Sequence, residues 1–165
     1  METGNVLKNG YTIRNFQPED LGKVIYINRK CLPENYPSFF FMEHYRNYPQ
    51  AFLVAEKEND VVGYIMCRIE WGRSFFRHLP TRLGHVISIA VLPEARGIGI
   101  GKTLMLKAME AMKKVYDVHE YYLEVRASNL SAIRLYEKLG FKIVRLLKGY
   151  YSDGEDAYLM ARPAR

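Results

Sequence analysis

The stretch VLPEARGIGIGKTLMLKA, residues 91–108, decides the fold. An apolar run is followed by three glycines, a lysine and a threonine, and a helical apolar pattern then begins. Glycine-rich turns between a strand and a helix often bind phosphate groups, because the first N–H groups of a helix have no acceptor within it. The sequence therefore predicts a phosphate-binding loop at residues 96–101.

Two common phosphate-loop patterns do not fit this stretch. The triphosphate loop G-x-x-x-x-G-K-[ST] would need glycine at Arg96, and the dinucleotide pattern G-x-G-x-x-G would need glycine at Lys102. The remaining pattern is R-x-x-G-x-G, formed by Arg96, Gly99 and Gly101. A phosphate-loop nucleotidase is therefore a weak alternative.

The bulk composition predicts one domain spanning residues 1–165 with an ordinary globular core. No apolar run approaches the ~20 residues of a membrane span, and METGNVLKNG lacks the apolar region of a secretory signal. Cys31 and Cys67 have no metal or redox spacing, which favours a reducing compartment and hence the cytoplasm. The net charge of +6 comes from scattered basic residues without a run, so we predict no specific nucleic-acid partner and no membrane partner.

The hydrophobic pattern predicts the order β-α-α-β-β-β-α-β-α-β-β. This order gives an α+β fold, a mostly antiparallel mixed sheet of seven strands with helices on both faces. The glycine-loop helix is predicted to bury Leu104, Ala108, Ala111 and Val115, and residues 72–84 read as a basic irregular loop. A closing hairpin is predicted around residues 152–154, and a ligand cleft at the parallel step around the glycine-loop helix.

Two separated motifs carry a family resemblance. The strand–R-x-x-G-x-G–helix unit and the later NLSAIRLYEKLGF, residues 129–141, resemble the GNAT superfamily of acetyl-CoA-dependent N-acetyltransferases. Three further stretches, LPENY at 32–36, GHVISIAV at 84–91 and KGYYSDGEDAYLM at 148–160, resemble the catalytic chain of N-terminal acetyltransferase A in its single-chain archaeal form. The resemblance implies the GNAT acyl-CoA N-acyltransferase fold over about residues 11–162.

The resemblance implies acetyl-CoA as cosubstrate and coenzyme A as product. Backbone N–H groups of the glycine loop would hold the diphosphate, and the strand before the loop would offer backbone groups to the pantetheine arm. The residues predicted to bind the cofactor are Ile89, Ala90, Val91, Arg96, Gly97, Ile98, Gly99, Ile100, Gly101, Lys102, Asn129 and Tyr136. For Asn129, helix capping alone is an equally good reading.

The acceptor amine must lose a proton, and two candidate bases stay open. Glu34 lies in the LPENY loop, which the resemblance places at the acceptor mouth. The alternative is that Glu34 is an exposed acidic loop residue without a catalytic role. His85 and Glu124 come from strands that the family places side by side, and together they could hold a water that relays the proton. Glu70 is a second-tier candidate, read as a solvated acid at a strand end.

Tyr136 matches the family tyrosine that protonates the departing thiolate, so the predicted catalytic residues are Glu34, His85, Glu124 and Tyr136. The residues predicted to bind the substrate are Leu32, Pro33, Glu34, Tyr36, Tyr150 and Tyr151. We predict no cysteine intermediate and no metal ligands.

The predicted activity is transfer of acetyl from acetyl-CoA to free α-amino groups of protein N-termini, including ribosomal proteins or nascent chains. Lysine or small-amine acetylation by the same fold is one alternative, and a non-catalytic acyl-CoA-binding module is another. The chain is predicted to act as a monomer or a homodimer.

Overall fold

The structure, a computed structural model, describes residues 10–165 and shows seven strands and four α-helices in the predicted order. The strands are β1 (Tyr11–Asn15), β2 (Phe52–Lys57), β3 (Asp60–Arg73), β4 (Pro80–Val91), β5 (Glu120–Arg126), β6 (Lys142–Leu147) and β7 (Ala157–Pro163). The helices are α1 (Leu21–Cys31), α2 (Ser38–Asn47), α3 (Ile100–Tyr116) and α4 (Leu130–Lys138). The prediction about a secretory signal concerns residues that lie partly outside the described range, since 1–9 are not described.

The strands form one mixed sheet in the order β1-β2-β3-β4-β5-β7-β6. The pairs β1–β2, β2–β3, β5–β7 and β6–β7 are antiparallel, and β4–β5 is parallel. The prediction of a mostly antiparallel mixed sheet of seven strands is therefore confirmed. The parallel ladder joins residues 83–85 to residues 120–122 and ends at His85 and Tyr122.

The described residues divide into two compact units, and the first unit comprises residues 10–68 and Val86–Tyr116. Its β2–β3 hairpin turns at Glu58 and Asn59, whose positive φ angles of 52° and 63° suit a two-residue turn. Helix α3 buries an apolar stripe of the kind that a 3.6-residue period produces. The buried residues of α3 are Ile100, Leu104, Met105, Ala108, Met109 and Met112.

The second unit comprises Ile69–His85 and Asp117–Arg165. Within it β5 alternates, so that Tyr121, Leu123 and Val125 are buried while Tyr122 and Glu124 point to the other face and are half-buried. This alternation is the local reason that acidic and aromatic side chains of β5 share one face. The prediction of a single domain is not tested by this division and stays a prediction.

Two details of the sequence reading are wrong. The predicted loop 72–84 is shorter, because β3 continues to Arg73 and β4 already begins at Pro80. Val115 is 55% exposed, because it lies in the last turn of α3, beyond Met112, the last residue of the buried stripe. The predicted closing hairpin around residues 152–154 is confirmed, since β6 and β7 pair antiparallel, and residues 148–156 form its connecting loop.

None of the helices within residues 10–165 combines the length and the apolar character that crossing a membrane requires.

Candidate active site

The glycine turn is built by two residues in left-handed backbone conformation. Gly97 has φ +85° and Gly99 has φ +93°, and α3 begins at the next residue, Ile100. A side chain at such a φ costs about 1–2 kcal/mol, which explains glycine at both positions. Gly101 lies inside α3, so the requirement for glycine by φ falls on Gly97 and Gly99.

The end of α3 that follows this turn suits a diphosphate. The backbone N–H of Thr103 donates to the carbonyl of Gly99, 3.0 Å away, so the N–H groups of Ile100, Gly101 and Lys102 precede the first helical hydrogen bond. Lys102 is exposed and adds positive charge beside them. An imagined Cβ on Gly97 meets no atom within 4 Å, so the turn opens onto free space. The residues present therefore fit the phosphate groups of acetyl-CoA.

The strand before the turn is partly engaged within the chain. Arg96 folds back and donates from Nε to the carbonyl oxygen of Val91 at 2.8 Å, and the Cys31 thiol lies 3.6 Å from the same oxygen. Ile89 and Val91 are half-buried, and Ala90 between them is buried. Of these predicted pantetheine contacts, the carbonyl of Val91 already accepts hydrogen bonds from this chain.

The LPENY loop is anchored to the core by a buried side chain, Asn28 of α1. Its Nδ2 donates to the carbonyl of Glu34 at 3.1 Å and to the hydroxyl of Tyr64 at 3.2 Å. Its Oδ1 accepts from the backbone N–H of Tyr36 at 3.3 Å. The Tyr64 hydroxyl in turn contacts Ser88 Oγ at 2.6 Å, and all three polar side chains are buried. The loop conformation is thus tied to the core of the first unit.

The predicted substrate residues of this loop have different exposure. Glu34 and Leu32 are half-buried and Pro33 is exposed. Tyr36 stacks on Phe40 of α2, with ring centroids 4.6 Å apart, so part of its role is packing. Glu34 is therefore not a fully exposed acidic loop residue, which is what the alternative interpretation of this residue assumes.

His85 and Glu124, paired in the sequence analysis, are in direct contact in the second unit. Nε2 of His85 lies 2.8 Å from Oε1 of Glu124, and Nδ1 lies 2.9 Å from Oε2 of Glu70. Burial of the imidazole opposes its charge, but the hydrogen bonds with Glu124 and Glu70 outweigh burial and raise the pKa of His85 above 6.5. No gap for a water separates His85 from Glu124, so a relaying water has to bind beside this contact.

Glu70 and Tyr122 are the residues of this cluster that the sequence analysis undervalued or missed. The Tyr122 hydroxyl donates to Oε1 of Glu70, and its ring stacks on His85 with centroids 4.0 Å apart and planes at 17°. Glu70 is half-buried inside a strand that continues to Arg73, and not a solvated strand end. Extending the predicted β3 beyond Glu70 would have identified Glu70 as a residue inside a strand. The two-residue period of β5 would have placed Tyr122 on the same face as Glu124.

These acidic groups do not converge on one point. Glu70 and Glu124 approach opposite nitrogens of the His85 ring. Within residues 10–165 no three His, Cys, Asp or Glu side chains are grouped to hold a metal ion.

Tyr136 of α4 is buried and packs edge-on against Phe141, with centroids 6.2 Å apart. Burial raises the pKa of Tyr136 to about 12. Asn129 caps α4, because its Oδ1 accepts from the backbone N–H of Ala132 at 3.2 Å. Capping uses the amide oxygen of Asn129 and leaves its nitrogen for a ligand.

The loop 148–156 presents the two predicted tyrosines. Arg126 of β5 donates from Nη1 to Asp153 at 2.9 Å and to Glu155 at 2.8 Å, and its guanidinium lies 4.1 Å from the ring centroid of Tyr151. Tyr151 is half-buried, whereas Tyr150 is 50% exposed and contacts Tyr151 edge-on. The two carboxylates of the loop are therefore held by Arg126 of β5, and the ring of Tyr150 is half exposed.

Comparison with known proteins places this geometry in a family. The model of the acetyltransferase (GNAT) family matches residues 21–141. The chain belongs to the acetyltransferase (GNAT) family. The matched range contains the glycine turn and the LPENY loop of the first unit, and His85 with both of its glutamates in the second unit.

Relatives within this GNAT family agree over nearly the whole chain. The chain is 59% identical over 155 residues to an N-alpha-acetyltransferase of Saccharolobus solfataricus, and the aligned residues cover 93% of both proteins. It is 58% identical to an N-alpha-acetyltransferase of Sulfurisphaera tokodaii, again over 93% of both. The solved structure of Ard1 from Thermoplasma volcanium is similar with a TM-score of 0.81 and 32% identity, covering 93% of this chain and 97% of that one. The GNAT fold predicted from the motifs is thereby confirmed.

Proposed function

We propose that this chain transfers the acetyl group of acetyl-CoA to the free α-amino group of protein N-termini. The observation that carries the proposal is the 59% identity to an N-alpha-acetyltransferase over 93% of both chains. A second solved structure, Naa20 from Chaetomium thermophilum in complex with a bisubstrate analogue, is similar with a TM-score of 0.81 and 34% identity over 92% of this chain and 86% of that one. The glycine turn fits the diphosphate of such a cosubstrate.

The acceptor requires only mild base assistance. An α-amino group has a pKa of about 8, compared with about 10.4 for lysine, so a neutral N-terminus is accessible near neutral pH at a cost of ~1.4 kcal/mol per pKa unit. When the amine attacks the thioester carbonyl, the new N–C bond makes the nitrogen acidic, and a carboxylate is then a sufficient base. Acetyl-CoA supplies the thioester whose carbonyl carbon is attacked.

Two groups of this chain are proposed to take that proton. Glu124 presents a second carboxylate oxygen beside the one that contacts His85, and it accepts the proton directly or through a water. Glu34 is the other candidate, in a loop that Asn28 holds in one conformation. Both assignments rest on the family resemblance together with the burial and contacts of these side chains.

Tyr136 is proposed to stabilise the departing thiolate. With its pKa raised to about 12, the hydroxyl stays protonated at neutral pH and donates a hydrogen bond. Complete transfer to a thiolate, whose acid has a pKa of about 8.5, would be uphill by about 5 kcal/mol. Tyr136 therefore acts as a hydrogen-bond donor, and the thiolate takes its proton from solvent after release.

The peptide is proposed to bind through the loop tyrosines. In the first unit Leu32, Pro33 and Tyr36 are proposed to contact the substrate, and in the second unit Tyr150 and Tyr151 are proposed to do so. We further propose that the substrates include ribosomal proteins or nascent chains, that the reaction occurs in the cytoplasm, and that the chain acts as a monomer or a homodimer.

Matched peptides test the function. The protein is incubated with acetyl-CoA and with two peptides of one sequence containing an internal lysine, one with a free and one with a blocked N-terminus. Mass spectrometry is expected to find one acetyl group on the free N-terminus and none on the blocked peptide. Acetylation of lysine in the blocked peptide would favour the lysine alternative, and binding of acetyl-CoA without turnover on any amine would favour the non-catalytic one.

A further inference from the structure

The second unit brings a second acidic side chain to the His85–Glu124 pair. Glu70 of β3 meets Nδ1 of His85 at 2.9 Å, while Glu124 of β5 meets Nε2 at 2.8 Å. The His85 side chain is only 11% exposed, so water competes little for either nitrogen. The imidazole thus lies between two carboxyl groups, one on each side.

The number of hydrogens in this arrangement is fixed by chemistry. Each N···O contact below 3 Å needs one hydrogen between its two atoms. Ionised carboxylates supply none, so both hydrogens belong to the ring, and His85 is then an imidazolium that donates to both acids. Loss of one hydrogen would leave a nitrogen lone pair facing a carboxylate oxygen at 2.8 or 2.9 Å, which is repulsive.

Glu70 is itself held in place on its other oxygen. The Tyr122 hydroxyl donates to Oε1 of Glu70, and the Tyr122 ring lies flat against the His85 ring, 4.0 Å away. His85 and Tyr122 are directly paired across the parallel strands β4 and β5, so the stacking follows from the sheet register. The ring orientation of His85 is therefore determined by β3 and β5 together.

We propose that Glu70 is a positioning residue, which holds His85 as a charged donor to Glu124, so that Glu124 accepts the proton of the attacking amine and His85 does not. This inference rests on the proposed acetyl transfer. As the N–C bond forms, the amine proton moves to the second oxygen of Glu124, while the Nε2 hydrogen of His85 stays on Nε2, hydrogen-bonded to the first oxygen. His85 keeps the orientation of Glu124 throughout and stabilises its charged form before the transfer.

The first test examines the unmodified protein and needs no turnover. The protein carries four histidines, and ¹⁵N-labelled imidazole signals of His85 are assigned by their loss in His85→Gln. At pH 7 both ring nitrogens of His85 are expected to be protonated. A neutral ring at pH 7, with one unprotonated nitrogen, would overturn the proposal whether or not any peptide is acetylated.

The second test uses Glu70→Gln, which keeps the shape and an acceptor oxygen but removes the charge. The groups that face His85 are Glu70 from β3 and Glu124 and Tyr122 from β5, so loss of one negative charge is expected to lower the pH at which His85 loses its proton. The kcat for peptide acetylation is expected to fall about tenfold, while the KM values for peptide and for acetyl-CoA change less than about twofold. In the pH profile of kcat, the decrease at alkaline pH is expected to move to lower pH. Glu70→Asp, which restores the charge, is expected to recover part of both effects.

Glu56→Gln is the matched control, because Glu56 is another half-buried carboxylate in an ion pair, with Arg14 at 3.2 Å. It is expected to leave the His85 titration and kcat unchanged. An unchanged His85 titration in Glu70→Gln, or a changed titration with an unchanged kcat, would overturn the positioning role. Absence of acetylation by the wild-type protein would instead contradict the proposed function, and the titration would still test the charge state.

Discussion

The side-chain amide of Asn28 donates a hydrogen bond to the main-chain carbonyl of Glu34, 3.1 Å away, from a position with no solvent exposure. The same amide group also contacts Tyr64 and the backbone N–H of Tyr36, so a core residue anchors the LPENY loop at two positions. A loop with prolines at 33 and 37 has few N–H groups of its own, and an internal anchor compensates for that lack.

Asn28→Ala is expected to damage peptide binding more than acetyl-CoA binding. The substitution leaves a carbonyl, an N–H and a hydroxyl without this partner, so the free energy of unfolding should fall by about 2–3 kcal/mol. The KM for peptide should rise about tenfold, with the KM for acetyl-CoA within about twofold. Steady-state kinetics and urea unfolding measure both effects. Asn15→Ala, which removes a similar amide contact to the Pro49 carbonyl at 3.1 Å, serves as control. Equal increases in both KM values would contradict the anchoring role.

Gly97→Ala is expected to weaken coenzyme A binding without a steric clash. No atom lies within 4 Å of the added Cβ, but φ of +85° costs a non-glycine residue about 1–2 kcal/mol, or roughly tenfold in affinity if the turn must keep this shape. Titration calorimetry with coenzyme A measures the change. Gly22→Ala is the matched control in α1, also with open space around the Cβ, and should raise stability by up to about 1 kcal/mol. Wild-type affinity in Gly97→Ala would contradict the phosphate-binding turn.

Tyr136→Phe is expected to reduce kcat by roughly 30-fold, the equivalent of about 2 kcal/mol for a hydrogen bond to a charged sulfur. Because the pKa of Tyr136 is raised to about 12, its hydroxyl should contribute no titration to the pH profile of kcat below pH 10. Tyr121→Phe is the control, since Tyr121 is a buried tyrosine whose pKa burial also raises to about 12. If the two variants lose activity equally, Tyr136 has only a packing role.

Much of the fold could be predicted because its signals are local. The glycines at 97 and 99 and the cap at Asn129 each depend on a few neighbouring residues, and all lie where the sequence places them. Strand ends were harder, because β3 and β4 gain residues from pairing with each other across the shortened loop 74–79. That pairing is a long-range effect which hydrophobic periodicity does not report.

The residues of the candidate site also divide into those that the sequence identifies and those that depend on long-range contacts. The acidic and histidine residues could be selected by type, and the contact between His85 and Glu124 follows from the adjacent strands β4 and β5. The contribution of Glu70 depends on the true end of β3, and that of Asn28 depends on a side chain that looks like an ordinary polar residue of a helix. Neither residue carries a motif, because each acts through another residue and not on the ligand.

The loop 148–156 is expected to lose its fixed shape at acidic pH. The backbone N–H of Glu155 is the main cause that lowers the pKa of Asp153, and Ser128 and then Arg126 lower that of Glu155. A lowered carboxyl pKa stabilises the folded loop above the unfolded values of 3.8 and 4.5, and this contribution disappears as pH falls through the folded values. Hydrogen exchange of the Tyr151 and Gly154 amides should therefore lose protection below about pH 4, after correction for the intrinsic pH dependence of exchange.

Arg126→Gln should produce the same loosening at neutral pH, because it removes the cation that both Asp153 and Glu155 contact and that covers the Tyr151 ring. The KM for peptide is expected to rise about fivefold while the KM for acetyl-CoA stays within twofold. Arg145→Gln, at an exposed position of β6, is the control and should change neither constant. Retained amide protection in Arg126→Gln, together with an unchanged KM for peptide, would show that the loop tyrosines are held by the backbone turn alone.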